Sequence, residues 1–172
     1  MTIQTNLKMI KLLLDDIRLG AKVNSNDSKA LRYLLGNIYN FAVHKEQNVD
    51  KCIDEPDFVY MSESFKKAWE DAGSPSGSSA LSKFGVYEHR IPFKVIINKM
   101  IVECNDEQSI LDFVCKSYKM VFVTKSEDEN LNAVGYRDKM PESGQDRYDV
   151  VGIAVHPVPI VYKNLAKYRT KG

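Results

Sequence analysis

The chain has few cysteines, no long apolar run and no excess of charge of either sign. Only three cysteines occur in 172 residues and none forms a CxxC pair, so the sequence predicts neither a disulfide framework nor a zinc ribbon. Lysine and arginine number 24, against 23 aspartates and glutamates. This balance excludes a nucleic-acid contact driven by bulk charge, so any such contact requires a local basic patch.

The apolar runs are also too short to cross a membrane. None approaches the roughly 20 residues that span a bilayer. The apolar stretch near the N-terminus is interrupted by Lys11 and by Asp15-Asp16, and no small-residue cleavage site follows it. Together with the unpaired cysteines, this pattern predicts a cytoplasmic protein with no membrane partner, in which Cys104 and Cys115 are small buried hydrophobic residues.

What remains is the composition of a globular protein, with 44% hydrophobic and 27% charged residues. The sharpest break in composition is the Ser- and Gly-rich segment 74–80, which predicts a surface loop. We therefore expect a helical region over 1–73 and an α+β region over 81–172 that carries the candidate site. The alternative is that both regions form a single domain.

The spacing of apolar residues predicts secondary structure along most of the chain. Helical spacing dominates the first half, and short apolar runs typical of strands occur in the second half. The predicted helices are 6–19, 28–46, a helix capped by Ser62 and ending at Gly73, 93–103, 107–117, and one from Thr124 or Ser126 to Ala133. The predicted strands are 84–90, 119–124, 150–155 and 159–163. The expected fold is α+β, with a helical N-terminal half and a small mixed sheet packed with helices in the C-terminal half.

One short motif could carry chemistry. Glu88-His89-Arg90-Ile91-Pro92 places a carboxylate beside an imidazole at the end of a predicted strand. It resembles the (D/E/H)HxxP pattern of the HNH, or ββα-metal, nuclease superfamily. In that family a second strand leads into a helix whose first turn carries the remaining metal ligand. Here that strand is 119–124. The match departs from the family in the long connection 91–118, in a carboxylate as the final ligand and in the absence of zinc cysteines.

The resemblance implies a metal-dependent endonuclease that hydrolyses DNA phosphodiester bonds. In this interpretation Glu88 and Asp128, with Glu127 beside the latter, hold Mg²⁺ or Mn²⁺, and His89 removes the proton from the attacking water. Arg90 contacts the phosphate, and Asn130 or Asn132 orients a ligand or His89. The residues implied to contact DNA are Arg137, Lys139, Arg147, Lys167 and Arg169. A small nuclease of this type fits a phage or defence setting.

Each part of this motif also has a structural interpretation. Neighbouring residues of a strand point to opposite faces, so His89 can lie in the core while Glu88 faces outward. Thr124 with Glu127, or Ser126 with Glu129, has the spacing of a capping box. The alternative function is therefore a non-catalytic inhibitor or adaptor that binds a protein partner. The two functions differ in whether Glu88, His89 and Asp128 or Glu127 converge.

Overall fold

The structure, a computed structural model, describes residues 2–43, 58–74 and 82–159. It has a mixed α+β fold, which confirms the predicted fold class: helices predominate in the N-terminal half, and a sheet with helices forms the C-terminal half. No helix among the described residues is long and apolar enough to cross a membrane. The helices are α1 (Ile3–Arg18), α2 (Ser25–Val43), α3 (Glu63–Asp71), α4 (Phe93–Glu103), α5 (Glu107–Ser117), α6 (Lys125–Ala133) and α7 (Arg147–Val150). The strands are β1 (Phe58–Ser62), β2 (Gly85–His89), β3 (Met120–Thr124) and β4 (Val155–Pro159).

The chain divides into two compact units that are interleaved along the sequence. The helical unit contains α1, α2, α4 and α5, and the sheet unit contains the four strands with α3, α6 and α7. Because α4 and α5 lie between β2 and β3 in the sequence, this division does not follow the sequence order from which regions 1–73 and 81–172 were predicted.

Amphipathic helices build the core of the helical unit. On α1, Leu7, Ile10 and Leu14 are buried at helical spacing, as the sequence predicts. Arg18, near the end of α1, donates hydrogen bonds to the carbonyl oxygens of Met100, Ile101 and Cys104. These carbonyls close α4, where a helix leaves backbone acceptors without partners. One arginine therefore ties the end of α1 to the end of α4.

Among the described residues, the core of the helical unit contains one buried polar side chain. Asn6 is fully buried on α1, and within the described part of the chain neither its side-chain oxygen nor its side-chain nitrogen has a hydrogen-bond partner. Buried polar groups are normally hydrogen-bonded, because losing water without a replacement partner is costly. Asn6 therefore lowers the stability of the unit that it helps to fill.

The cysteines follow the prediction only in part. Cys104 is buried with a free thiol, and burial raises its pKa to about 11. Cys115 is only half-buried and is disulfide-bonded. The expectation of a small buried hydrophobic residue is thus confirmed for Cys104 and wrong for Cys115.

The four strands form a mixed sheet in the order β2-β3-β1-β4. The central strands β1 and β3 are parallel, and the outer strands β2 and β4 are each antiparallel to their neighbours. Alternation along β3 gives the sheet two packed faces. Val121 and Val123 pack with Leu131 of α6 on one face, whereas Phe122 packs against Phe65 of α3 on the other.

Gly85 allows the close approach of β2 and β3. It pairs with Thr124, and a Cβ atom at this position would lie 1.8 Å from the carbonyl oxygen of Val123. A side chain would therefore collide with the backbone of β3. The first residue of β2 has to be glycine for this pairing to form.

The largest error in the predicted elements occurs near residue 150. The predicted strand 150–155 is wrong, because the helix α7 ends at Val150 and β4 begins only at Val155. Asp146 caps α7 by accepting a hydrogen bond from the backbone N–H of Tyr148 at 3.0 Å. The N-cap at Asp146 thus favours a short helix at the position where the apolar residues predicted the start of a strand. The predicted strand 159–163 lies outside the described residues beyond Pro159.

Candidate functional site

The predicted catalytic pair lies at the end of β2, on an outer strand of the sheet. Glu88 pairs with Val121 and His89 pairs with Met120 in the antiparallel ladder between β2 and β3. Val86 packs on the α6 face of the sheet, so alternation directs Glu88 to that face and His89 to the α3 face. Only 9% of His89 is exposed. The structure therefore gives the two neighbours the opposed orientations of the structural interpretation.

The predicted metal ligands on α6 lie at the other end of the strand pair. The helix begins directly after Thr124, which pairs with Gly85 at the start of β2. Glu88 is three residues further along β2, a distance of about 10 Å at the rise of a β-strand. The antiparallel register thus separates Glu88 from Glu127 and Asp128. In the part of the chain that the structure describes, no group of three histidine, cysteine or acidic side chains is arranged to hold a metal ion.

Glu127 is engaged at the N-termini of two helices. Its Oε2 atom accepts hydrogen bonds from the Thr124 N–H at 2.8 Å and from the Thr124 hydroxyl at 3.0 Å, which confirms the predicted capping box. The same oxygen accepts a hydrogen bond of 2.6 Å from the hydroxyl of Ser62, the N-cap of α3. Because β1 and β3 are parallel neighbours, the helices that follow them begin side by side. Glu127 therefore joins the two caps.

The other polar residues of α6 form local contacts. Asp128 accepts a hydrogen bond of 3.3 Å from the side-chain amide of Asn132, one turn later. Asn130 and Asn132 are exposed on this helix, which starts at the opposite end of the β2–β3 pair from His89. The structure does not bring either asparagine to His89.

Arg147, which the sequence predicts as a DNA contact, is almost fully buried, with only 1% of it exposed. Its guanidinium donates hydrogen bonds to the carbonyl oxygens of His89 at 2.5 Å, Arg90 at 3.2 Å and Tyr136 at 2.8 Å. It also lies 3.5 Å from the Glu88 carboxylate. Five donors in a planar fork suit such a set of acceptors, and the paired acid offsets the cost of burying the charge. Arg147 is a structural residue.

Arg90 is held by a second ion pair. Its Nε atom lies 2.5 Å from the carboxylate of Asp146, and its guanidinium lies 5.4 Å from the ring centre of Tyr60. Asp146 is also the N-cap of α7. The side chain proposed to contact phosphate therefore connects the end of β2 to the start of α7.

The remaining predicted DNA contacts share no described contact with the pair on β2. Arg137 and Lys139 are exposed in the connection between α6 and α7, next to Asp138, which is also exposed. Lys167 and Arg169 lie outside the described residues. The two basic side chains of this connection therefore flank an acidic one.

An aromatic stack that the sequence reasoning missed reaches the surface on the α3 face. The Tyr87 ring stacks on Phe122 with 4.4 Å between ring centres, and Phe122 stacks on Phe65 with 5.2 Å. Phe65 is fully buried, whereas 48% of Tyr87 is exposed. The only sequence signal is an aromatic residue on each of the two predicted strands. The register that joins them cannot be read from one sequence.

Comparison with known proteins adds no evidence on function, so a proposal has to be argued from the geometry described above. No protein-family model, curated protein or solved structure matches the chain. The likeness to HNH nucleases therefore rests on the sequence pattern of residues 84–134 alone, in which Glu88 to Pro92 is the strongest element.

Proposed function

We propose that this protein is a non-catalytic binding module that recognises another protein through the surface around Tyr87. The observation that carries the proposal is the half-exposed aromatic ring of Tyr87 on an outer strand, stacked on a column of rings that leads into the core. A tyrosine fixed in this way presents a large contact area and loses little conformational freedom when it binds.

The position of Tyr87 favours recognition of a protein surface. Its ring offers an apolar face and its hydroxyl offers a polar end, a combination enriched at the centre of protein interfaces. Tyr87 is the one exposed residue of β2, with the partly buried Val86 and Glu88 on either side of it. The expected partner inserts an apolar or aromatic side chain against this ring and offers a hydrogen-bond group to the phenol.

The charged residues around β2 support binding over hydrolysis. A one-metal nuclease needs ligands that converge on one cation, with a base close to the attacking water. Here the Glu127 carboxylate joins two helix caps, Arg147 is buried on backbone carbonyls, and Arg90 pairs with Asp146. These groups stabilise the fold, which leaves the surface around Tyr87 as the candidate for recognition.

The test begins by placing a photo-crosslinking phenylalanine derivative at position 87 in cells of the source organism. The matched control carries it at Val134, which is equally exposed in the same unit. A protein adduct specific to position 87 identifies the partner. Binding of the purified partner is then measured by calorimetry with the unaltered chain, with Tyr87→Phe and with Tyr87→Ala.

We expect Tyr87→Phe to retain most of the affinity and Tyr87→Ala to weaken binding by about ten-fold or more, as for an anchoring aromatic residue. Equal affinities for Tyr87→Ala and the unaltered chain would overturn the proposal.

The nuclease that the motif implies is tested in parallel. Purified protein is incubated with plasmid DNA and Mg²⁺ or Mn²⁺, beside a sample with chelator and a His89→Ala variant. The binding proposal predicts intact plasmid in every sample. Cutting that is lost both with the chelator and with His89→Ala would instead establish metal-dependent hydrolysis centred on His89.

A further inference from the structure

The outward face of α1 carries large apolar side chains that the helical unit does not cover. The buried side of the helix is formed by Leu7, Ile10 and Leu14. On the opposite side, Leu12 is 64% exposed, and Leu19, just after the last turn, is 87% exposed. An exposed leucine is common, but two of them on the outward side of one amphipathic helix form a defined stripe.

Two opposite charges lie beside this stripe at equal distances from Leu12. Lys8 stands four residues before Leu12 and Asp16 stands four residues after it, and both are exposed. Asp15 is already paired, with Lys11 at 2.5 Å and with Arg18 at 2.8 Å. In the described residues neither Lys8 nor Asp16 takes part in a salt bridge. The stripe is therefore positive on one side of Leu12 and negative on the other.

We propose that α1 packs antiparallel against α1 of a second copy of this chain, with Leu12 on the two-fold axis. Residues four positions apart are separated by about 6 Å along a helix, so Lys8 of one copy lies beside Asp16 of the other. The two-fold axis repeats this pair, which gives two salt bridges around a central leucine contact. The charge pattern is thus complementary to itself, as an isologous interface requires.

The size of this contact sets its strength. A helix of 16 residues is about 24 Å long, and a single pair of such helices buries less area than a standard stable interface. Association is therefore reversible and depends on concentration, over a range of about 10–500 μM chain. The inference is independent of the proposed function, because α1 belongs to the helical unit and Tyr87 belongs to the sheet unit.

The experiment is sedimentation of the full chain and of charge-reversed variants. Lys8→Asp places two acids opposite each other, and Asp16→Lys places two lysines opposite each other. Each variant alone should dimerise about ten-fold or more weakly than the unaltered chain. An equimolar mixture of the two restores both opposite-charge pairs, so it should associate like the unaltered chain. Leu12→Lys should abolish association, and the control Val134→Lys should not affect it.

Three results would overturn the proposal. The first is a monomer at all concentrations up to about 1 mM. The second is dimerisation that Leu12→Lys leaves unchanged. The third is a mixture of Lys8→Asp and Asp16→Lys that associates no better than either variant alone, because only self-pairing through α1 predicts that rescue. Since all three positions are exposed or outward-facing, circular dichroism of each variant should match the unaltered chain and exclude misfolding as the cause.

Discussion

A buried arginine sets the geometry around the end of β2. Arg147 holds the backbone of His89, Arg90 and Tyr136 through its guanidinium, with Glu88 at its edge. A cation in this position is tolerated because each of the three guanidinium nitrogens donates to an oxygen acceptor. An arginine that the sequence suggests for a phosphate backbone thus satisfies carbonyl groups of its own chain.

At the same scale, Asn6 offers a direct test of an unsatisfied group. Asn6→Leu replaces a buried amide without partners by an apolar side chain of similar size. We expect the free energy of unfolding to rise by about 1–2 kcal/mol, because the desolvation cost of the amide disappears. Urea unfolding measures the change. The control Asn98→Leu, at an exposed position of α4, should have little effect; a loss of stability in Asn6→Leu would show that Asn6 has a compensating role.

Two glycines should respond to alanine with opposite signs. Gly85→Ala places a Cβ atom 1.8 Å from a carbonyl oxygen of β3, so strand pairing must shift, and we expect a loss of about 1–3 kcal/mol. Gly36→Ala, in α2, meets no atom within 4 Å, and we expect a gain of about 0.5–1 kcal/mol. Thermal unfolding measured by circular dichroism compares the two variants. A neutral Gly85→Ala would contradict the close approach of β2 and β3.

At the scale of elements, the sheet unit is held together where its helices begin. Ser62 caps α3, Thr124 caps α6, and the Glu127 carboxylate bonds to both. Two helix starts that share one acceptor should fold as a coupled pair, because removal of either partner leaves the other with an unmet bond.

A double-mutant cycle measures this coupling. Ser62→Ala, Glu127→Gln and the combined variant should give an interaction free energy of about 0.5–1.5 kcal/mol by urea unfolding. Glu129→Gln, on the exposed side of α6, is the control and should show no coupling to Ser62→Ala. Strictly additive effects of Ser62→Ala and Glu127→Gln would indicate that the hydrogen bond between the caps contributes nothing.

The elements also show which parts of the structure are readable from sequence. The Thr124–Glu127 capping box and the Ser62 cap were predictable, because both depend on residues three apart in the chain. The pairing of Gly85 with Thr124 was not, because strand register depends on contacts across the sheet. That one pairing separates Glu88 from Asp128, so the predicted site depended on the information that the sequence lacks. The burial of Arg147 was not predictable either, because an arginine side chain is usually exposed.

At the scale of the whole molecule, buried tyrosines predict sensitivity to alkaline pH. Burial raises the pKa of Tyr148 from 10.0 to about 12, and it also raises the pKa of Tyr118. The folded state therefore holds these protons more tightly than the unfolded state does. The resulting stability is complete below about pH 10 and is lost as the pH rises towards 12.

We expect the free energy of unfolding to fall above pH 10 by up to about 1.4 kcal/mol per pH unit for each buried tyrosine. Urea unfolding at several pH values between about 8 and 11 measures the slope. Tyr148→Phe should reduce the slope, whereas Tyr33→Phe, at an exposed position, should leave it unchanged. A free energy that stays constant over this range would contradict the raised pKa of both groups.

The interleaving of the two units has a consequence for synthesis on the ribosome. The strands β1 and β2 emerge early, but their shared neighbour β3 is made only after α4 and α5. The strands β1 and β2 therefore cannot pair with β3 until the inserted helices have been translated. Once α5 is complete, β3 follows within a few residues, and its pairing with β2 begins beside the hydrogen bond between Arg90 and Lys119. Slowed translation between β2 and β3 would lengthen the time for which β1 and β2 lack this neighbour, and would increase the chance that they pair with another nascent chain.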